Sequence, residues 1–294
     1  MNNITFIILT YNEEKNIGQL LGNLKDLPGE ILVVDSYSND KTIDIVKERN
    51  VCFLQHPFEN YSLQRNWAQE NNPFKTDWVF HLDADERLTD ELRSWLINDF
   101  KPTPEIDGYM FGRRAIFMER WIKSHYNYHL RLYRSQKGGC EAKAYDQHFI
   151  VNGKTLVIKR KDITSEVADN LNNFIASHNK WAFLEAIDVI QNEEGGEVKA
   201  SFWGSPIERK RWMKNNLFHK TPLFMRSFIY FFYRYFIQMG FLDGKEGLVF
   251  HVLQAFWFRF LIDAKVLEIK LKTKSANEDL KEVLRKNYNY SLPK

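Results

Sequence analysis

Asp83-Ala84-Asp85-Glu86-Arg87 follow directly on the apolar run Trp78-Val79-Phe80-His81-Leu82. That run reads as a buried strand. Side chains two apart on extended backbone point to the same side, so Asp83 and Asp85 would both project from its carboxyl end, into the crevice where open α/β sheets bind ligands. Paired carboxylates there suit a hard divalent cation, Mg²⁺ or Mn²⁺, which takes one or two carboxylates and completes its shell with water and substrate phosphates. A nucleoside diphosphate is then a natural occupant. An Asp-x-Asp alone is more often a solvated loop or a helix cap, and its place at the end of a buried strand is what gives this one weight.

The elements that would position these acids alternate. Ile4 to Leu9 is an apolar run ending in Thr10-Tyr11-Asn12-Glu13-Glu14, and a helical pattern follows with Ile17, Leu20, Leu21 and Leu24 on one face, which Thr10 or Asn12 can cap. Pro28-Gly29 breaks the chain, and a second run, Ile31 to Val34, stops at Asp35 before the turn-rich Ser36-Tyr37-Ser38-Asn39-Asp40. A helix from Lys41 to Arg49, a strand from Val51 to Leu54, a helix from Ser62 to Glu70 and the strand before Asp83 complete a βαβαβαβ pattern. Short right-handed connections imply a mostly parallel sheet with helices on both faces. Thr10, Asn12, Asp35, Ser36, Asp83 and Asp85 then gather along one sheet edge. There is no G-x-G-x-x-G after the first strand and no G-x-x-x-x-G-K-[ST] anywhere, which argues against dinucleotide oxidoreductases and P-loop ATPases.

I-I-L-T-Y-N-E-E at 7 to 14, V-V-D-S-Y-S-N-D-K-T at 33 to 42, Q-R-N-W-A at 64 to 68 and L-D-A-D-E-R at 82 to 87 resemble, in order, the motifs of the family 2 glycosyltransferases of GT-A fold. The resemblance rests on the first third of the chain. It implies a nucleotide-sugar donor, a divalent metal and inversion at the anomeric carbon by single displacement. By the same resemblance Thr10 and Asn12, with Tyr11 and Glu13, line the nucleotide pocket. Asp35, beside Ser36, accepts a hydrogen bond from the base, and Arg65 and Asn66 border the nucleotide. Asp83, with Ala84, lies near ribose and metal, and Asp85 ligates the metal. Tyr37 departs from the glycine of many relatives, stiffening the loop or adding a ring to the base site. Glu86 and Arg87 rank below the two aspartates, as a cap and a surface charge.

The middle of the chain is expected to hold the acceptor side. Gly108 to Arg114 reads as a strand. Tyr128 to Arg134 alternates, placing Leu130 and Leu132 on one face and His129, Arg131 and Tyr133 on a face that could look into the cleft. Arg113, Arg114 and Arg131 suit a diphosphate clamp, because guanidinium forks match phosphate oxygens. An inverting transfer needs a base for the acceptor hydroxyl, and a positioned carboxylate is the usual answer. Asp146, in a polar-aromatic cluster with Tyr145, Gln147 and His148, is preferred, with Glu141 second. His148 could complete a metal shell or be purely structural. A hairpin from His148 to Ile158 turns at Asn152-Gly153.

From Pro222 to Leu242 the chain is almost wholly apolar and aromatic, with Arg226, Tyr230, Arg234 and Gln238 as a narrow polar stripe. Leu248 to Ile262 repeats the design with His251, Gln254, Arg259 and Asp263. Arginine near a bilayer centre costs roughly 2.5 kcal/mol or more, which disfavours a spanning hairpin. Preceded by Arg209, Lys210, Arg211, Lys214 and Lys220, these helices fit an in-plane membrane anchor drawn to anionic lipid. A buried helical pair or a homodimer interface is the competing reading. A helix from Asn173 to Ile190 packs the tail on the catalytic domain or lines an acceptor groove.

A net charge of +3 is too small to imply nucleic acid, and Cys52 and Cys140 give no metal spacing and no disulfide framework, as free thiols in a reducing cytosol. The amino terminus carries no basic n-region or cleavage site. The whole resembles the family 2 branch that builds bacterial lipopolysaccharide and surface polysaccharide on lipid-linked acceptors. The expected enzyme is metal-dependent, cytoplasmic and peripheral on the inner leaflet, with a GT-A domain over 1–165, a helical membrane-associating extension over 166–294 and a UDP-sugar donor. The alternatives are a sugar-1-phosphate nucleotidyltransferase, whose glycine-rich basic loop Leu9 to Glu14 lacks, and a nucleotide-binding scaffold without catalysis.

Overall fold

The unbroken apolar run of β1 (Ile4–Thr10) requires burial on both faces, and it receives it: Ile4, Phe6 and Ile8 join one core, Ile7 the opposite one. The computed structural model describes residues 3–142, 147–191 and 221–292. They fall into two units, one running to Val167 and the other starting at Ala168.

In the first unit α1 (Ile17–Leu24), β2 (Glu30–Asp35), α2 (Thr42–Glu48), β3 (Cys52–Gln55), α3 (Tyr61–Glu70) and β4 (Trp78–Asp83) follow in the expected order. Strands β3, β2, β1 and β4 lie side by side and parallel, with Thr10 level with Asp35 and Leu9 level with Asp83. The register therefore brings three strand ends to one edge. Helix α1 takes no side-chain cap: Asn16 opens it without one, while Thr10 and Asn12 bond across to the β2 loop.

Beyond β4 the sheet becomes mixed. After β5 (Glu86–Leu88) and α4 (Asp90–Asn98) come β6 (Gly108–Phe117), β7 (Arg120–Trp121), β8 (Asn127–Arg134), β9 (Gly138–Cys140), β10 (Phe149–Val151) and β11 (Thr155–Glu166). The order continues β4-β8-β6-β11-β5, with β8 antiparallel to both neighbours and β11 parallel to β6. The hairpin expected over 148 to 158 is not one. Phe149–Val151 pairs with β9 in a separate two-stranded sheet, and Asn152 N–H extends that ladder to the Lys137 carbonyl at 2.7 Å. The chain after Gly153 leaves for the long free edge of β6, which offers more hydrogen bonds than a three-residue strand can.

The alternation expected of β8 also breaks, at one residue. Tyr109 pairs Leu132 but Met110 pairs Leu130, so Arg131 is the extra residue of a β-bulge. Leu132 therefore joins the core of β1's even face, whereas Leu130 and Tyr133 join the other. Bulges re-aim side chains, and this one turns Arg131 toward the end of β4.

In the second unit α5 (Leu171–Gln191) packs on α8 (Phe258–Ala276), with Arg259 paired to Glu185 at 2.9 Å and His178 bonded to Gln254 at 2.6 Å. Helix α6 (Met225–Phe232) continues through a π-wound turn, Tyr233–Ile237. Helix α7 (Gly244–His251) runs through a second π-wound stretch, Val252–Trp257, into α8, and α9 (Leu280–Tyr288) closes the unit. Lys143 to Asp146 and the basic run at 209 to 220 lie outside the described residues.

Gly112 sits where β6 passes the bulge between Ile158 and Asp162, and a Cβ there would lie 2.0 Å from the Tyr126 hydroxyl and 2.4 Å from Asp162 Oδ1. Those two atoms share a 2.5 Å hydrogen bond, and Asp162 also takes Arg114 at 2.7 Å, so neither yields freely. Gly112→Ala is expected to destabilise the fold by about 1–3 kcal/mol, as overpacking does, read from the midpoint shift in urea unfolding.

Candidate functional site

The β1 and β2 loops are laced together before any ligand arrives. Asn12 N–H donates to Ser38 Oγ at 2.8 Å, Asn39 N–H to Asn12 Oδ1 at 2.9 Å and Glu13 N–H to Thr42 Oγ1 at 2.7 Å. Asp35, fully buried at the end of β2, accepts from Thr10 Oγ1 (3.0 Å) and Ser38 Oγ (2.5 Å) on Oδ1. Its Oδ2 accepts from Ser38 N–H (2.9 Å) and Gln55 Nε2 (3.1 Å). Four bonds use the acceptor positions of an ionised carboxylate, so a base reaching Asp35 has to displace Ser38 or Gln55. Ser36 Oγ accepts from Gln64. Tyr11 and Tyr37, 58% and 56% exposed, flank this edge, and Tyr37 holds φ +59°, in the left-handed region that glycine enters without strain.

At the end of β4, Asp83 accepts from Arg65 at 2.8 Å and lies 3.5 Å from Arg131. Burial would raise its carboxyl, but Arg65 and Arg131 outweigh that and hold it well below the usual carboxylate range. Glu86 is neither cap nor surface group. It is fully buried, accepts the Asp83 N–H at 3.0 Å and pairs with Arg131 at 2.5 Å, with Arg113 at 3.6 Å. Burial raises the Glu86 carboxyl, against Arg131. Arg87 is likewise no free surface charge: it donates to the Ala84, Glu86 and Asn16 carbonyls and staples the acidic turn to the start of α1.

Asp85 accepts from the Ser165 hydroxyl at 3.0 Å, and that hydroxyl accepts from Arg113 at 2.6 Å. Ser165 arrives from β11, whose residue 165 is level with Glu86. Burial first, and then the charge of Asp83, raise the Asp85 carboxyl to about 6. A carboxylate so placed is short of positive charge, the condition a divalent cation would relieve. Among the described residues no three His, Cys, Asp or Glu side chains form a metal cage. A cation here would take Asp85, with Asp83, from the protein and the rest of its shell from phosphate and water.

The three arginines expected as one clamp separate. Arg113 and Arg114 are neighbours on a strand and point to opposite faces, so Arg114 goes to Asp162 and the Trp121 ring, 4.7 Å away. Arg131 is buried and committed to the acids rather than open to a ligand. Arg113 remains partly exposed beside Asp85 and Glu86. Nor does Tyr133 look into a cleft: it is fully buried and its hydroxyl donates to Gln69 at 2.8 Å. Arg65 lies over the Tyr61 and Phe149 rings, while the Asn66 amide is spent on the N–H and carbonyl of Cys140. Glu141 is fully buried and accepts from His148 N–H at 2.9 Å, with His148 Nδ1 at 3.1 Å, so it is closed to an acceptor hydroxyl. Asp146 lies outside the described residues. Glu86 is visible within L-D-A-D-E-R but ranks there only as a cap, whereas nothing in the sequence links Gln55 to Asp35 or Ser165 to Asp85.

Arg131 balances Asp83, the last residue of β4, and Glu86, the first of β5. Arg131→Met is expected to cost about 3–5 kcal/mol, because it leaves buried charge uncompensated, and Arg131→Met with Glu86→Gln should recover part of the loss in the same urea titration.

A model of the family described as Glycosyl transferase family 2 matches residues 5–164, from β1 into the last residues of β11. The chain is 26% identical to an uncharacterised glycosyltransferase of Rickettsia typhi, an alignment covering 100% of both. It is 32% identical over 116 residues to the lipopolysaccharide core biosynthesis glycosyltransferase LpsC of Rhizobium meliloti, covering 38% of this chain and 42% of that one. Among solved structures, the mannosyltransferase PcManGT of Pyrobaculum calidifontis, determined with GDP-Man and Mn²⁺, superposes with a TM-score of 0.56 at 15% identity, over 90% of this chain and 87% of that one. The fold is thus GT-A with a C-terminal helical region. With the acidic turn at the end of β4 set beside the laced β1 and β2 loops, and a family match spanning both, this chain belongs to glycosyl transferase family 2 and is a glycosyltransferase.

Proposed function

We propose that the protein is an inverting, divalent-metal-dependent glycosyltransferase that moves a sugar from a nucleotide-sugar, a UDP-sugar, to a lipid-linked or polysaccharide acceptor in bacterial surface-glycan assembly. The observation that carries the reading is Asp85: a carboxylate crowded by Asp83 at the sheet edge, short of positive charge, beside loops preorganised for a nucleotide. The catalytic work is assigned to the first unit and membrane association to the helical second, with the enzyme at the cytoplasmic face of the inner membrane. The named role of LpsC supports the surface-glycan assignment, and the Mn²⁺ and GDP-Man of PcManGT support metal and nucleotide-sugar use.

In this reading the nucleotide base stacks against Tyr11 or Tyr37 and reaches Asp35 by displacing Gln55 or Ser38. Arg65 and Arg113 face the diphosphate. A cation bound at Asp85 would offset the charge that develops on the leaving diphosphate. The acceptor hydroxyl attacks the anomeric carbon and gives its proton to the Asp146 carboxylate. The bond from that carbon to phosphate oxygen breaks, and the nucleoside diphosphate leaves with the electron pair. Glu141, already held by His148, is not given the base's role.

Asp85→Asn is expected to abolish transfer and to weaken UDP binding in Mn²⁺ strongly, measured by calorimetry and product formation; full activity in excess chelator would overturn the metal assignment. Asp146→Asn should leave donor affinity near that of the parent while kcat falls about 100-fold or more, the scale of lost general-base catalysis. If Glu141→Gln shows that split and Asp146→Asn does not, the base is Glu141.

A further inference from the structure

The hairpin of the second unit is inside out. Along α6 and its π-wound continuation, Met225, Phe228, Ile229, Phe232, Phe236 and Ile237 are exposed, at the i, i+3, i+4, i+7 spacing of one helix face. A helix of a water-soluble protein turns that face to the core. Here the opposite face is buried, and it carries the charges: Arg226 pairs with Asp263, which also accepts the Phe224 N–H at 2.6 Å, and Arg234 bonds to Gln238. The polar stripe foreseen at 226, 230, 234 and 238 therefore does not meet headgroups. It is the packed side of the hairpin.

Leu242, Leu248 and Val252, before, along and just past α7, extend the exposed apolar surface. Of the neighbouring rings, Phe231 and Trp257 are half-buried, Phe231 against Tyr235 and Phe256.

We propose that this face lies in one lipid leaflet, with α6 parallel to the membrane plane. A typical protein interface carries several direct hydrogen bonds, yet the stripe offers no side-chain hydrogen bonder except Tyr233, whose hydroxyl already accepts from Gln238 at 2.9 Å. Lipid requires what is present here: apolar side chains outward, charges paired inward, and backbone groups satisfied within helices. Met225 to Ile237 is about 20 Å long at the helical rise, short of a hydrocarbon core of about 30 Å. The helix Gly240–Ala276 is long and apolar enough to cross a membrane, with a mean hydropathy of 1.3 over its best window, but 39% of that window is buried in the protein. Its lower, charged half packs on α5 and α9. The proposal deepens the lipid-linked acceptor reading and rests on it.

The test is sedimentation of the full chain with vesicles of phosphatidylethanolamine and phosphatidylglycerol. The parent should co-sediment and stay largely bound in molar salt. Phe228→Ser with Phe232→Ser and Phe236→Ser should lower the partition coefficient by about 1,000-fold, since each ring removed from lipid is worth about ten-fold. UDP binding in Mn²⁺ should not change. Phe232→Ser alone, expected to lose about ten-fold, keeps the test open if the triple variant misfolds. A parent that ignores vesicles, or variants that bind as the parent does, would overturn the proposal. So would light scattering that shows a dimeric parent made monomeric by the substitutions with vesicle binding intact, which would make the face a subunit interface. Loss of UDP binding in the parent would count instead against the nucleotide-sugar reading.

Discussion

Three carboxylates within four residues, Asp83, Asp85 and Glu86, close a strand that is otherwise buried, and their coexistence is the constraint on which the rest of the catalytic unit depends. Uncompensated, they would repel one another in a site with little water. Arg131 reaches Glu86 and Asp83, Arg65 reaches Asp83, and Arg113 joins Glu86 to the Ser165 hydroxyl that holds Asp85. Each arginine comes from a different element, so α3, β6 and β8 are all tied to the end of β4. The balance is uneven. Asp83 and Glu86 have near counter-charges, whereas Asp85 has a hydroxyl and a more distant guanidinium, and this difference marks Asp85 as the group with most to gain from a cation.

The bulge in β8 follows from the same demand. On a regular strand Arg131 and Leu130 would lie on opposite faces. The extra residue lets Leu130 enter the core beside Tyr133 while Arg131 turns to the acids, so one backbone irregularity serves packing and charge together. The second unit solves a related problem differently. Arg226 and Asp263 are buried against each other, and neither lies on the face that the helix leaves open. In one unit charge compensation prepares a site, and in the other it clears a surface of charge.

What the amino-acid order determined by itself was the local and the nearby: the βαβ alternation through β4, the buried face of α1, and the convergence of Thr10, Asp35 and Asp83, because parallel strands with short crossovers leave little freedom of register. The motifs that carry the family likeness fall in this part. Tertiary structure alone decided what depends on partners distant in the chain. Glu86 looked like a cap until Arg131, forty-five residues away, was placed on it. Ser165 became a neighbour of Asp85 because β11 folds back beside β5, and the supposed 148–158 hairpin dissolved because β6 offered β11 a longer edge. The stripe at 226 to 238 was legible as amphipathic, but periodicity states only that a helix has two faces. Which face is turned inward is set by the partner that Arg226 finds in Asp263, and no spacing within the helix encodes that partner.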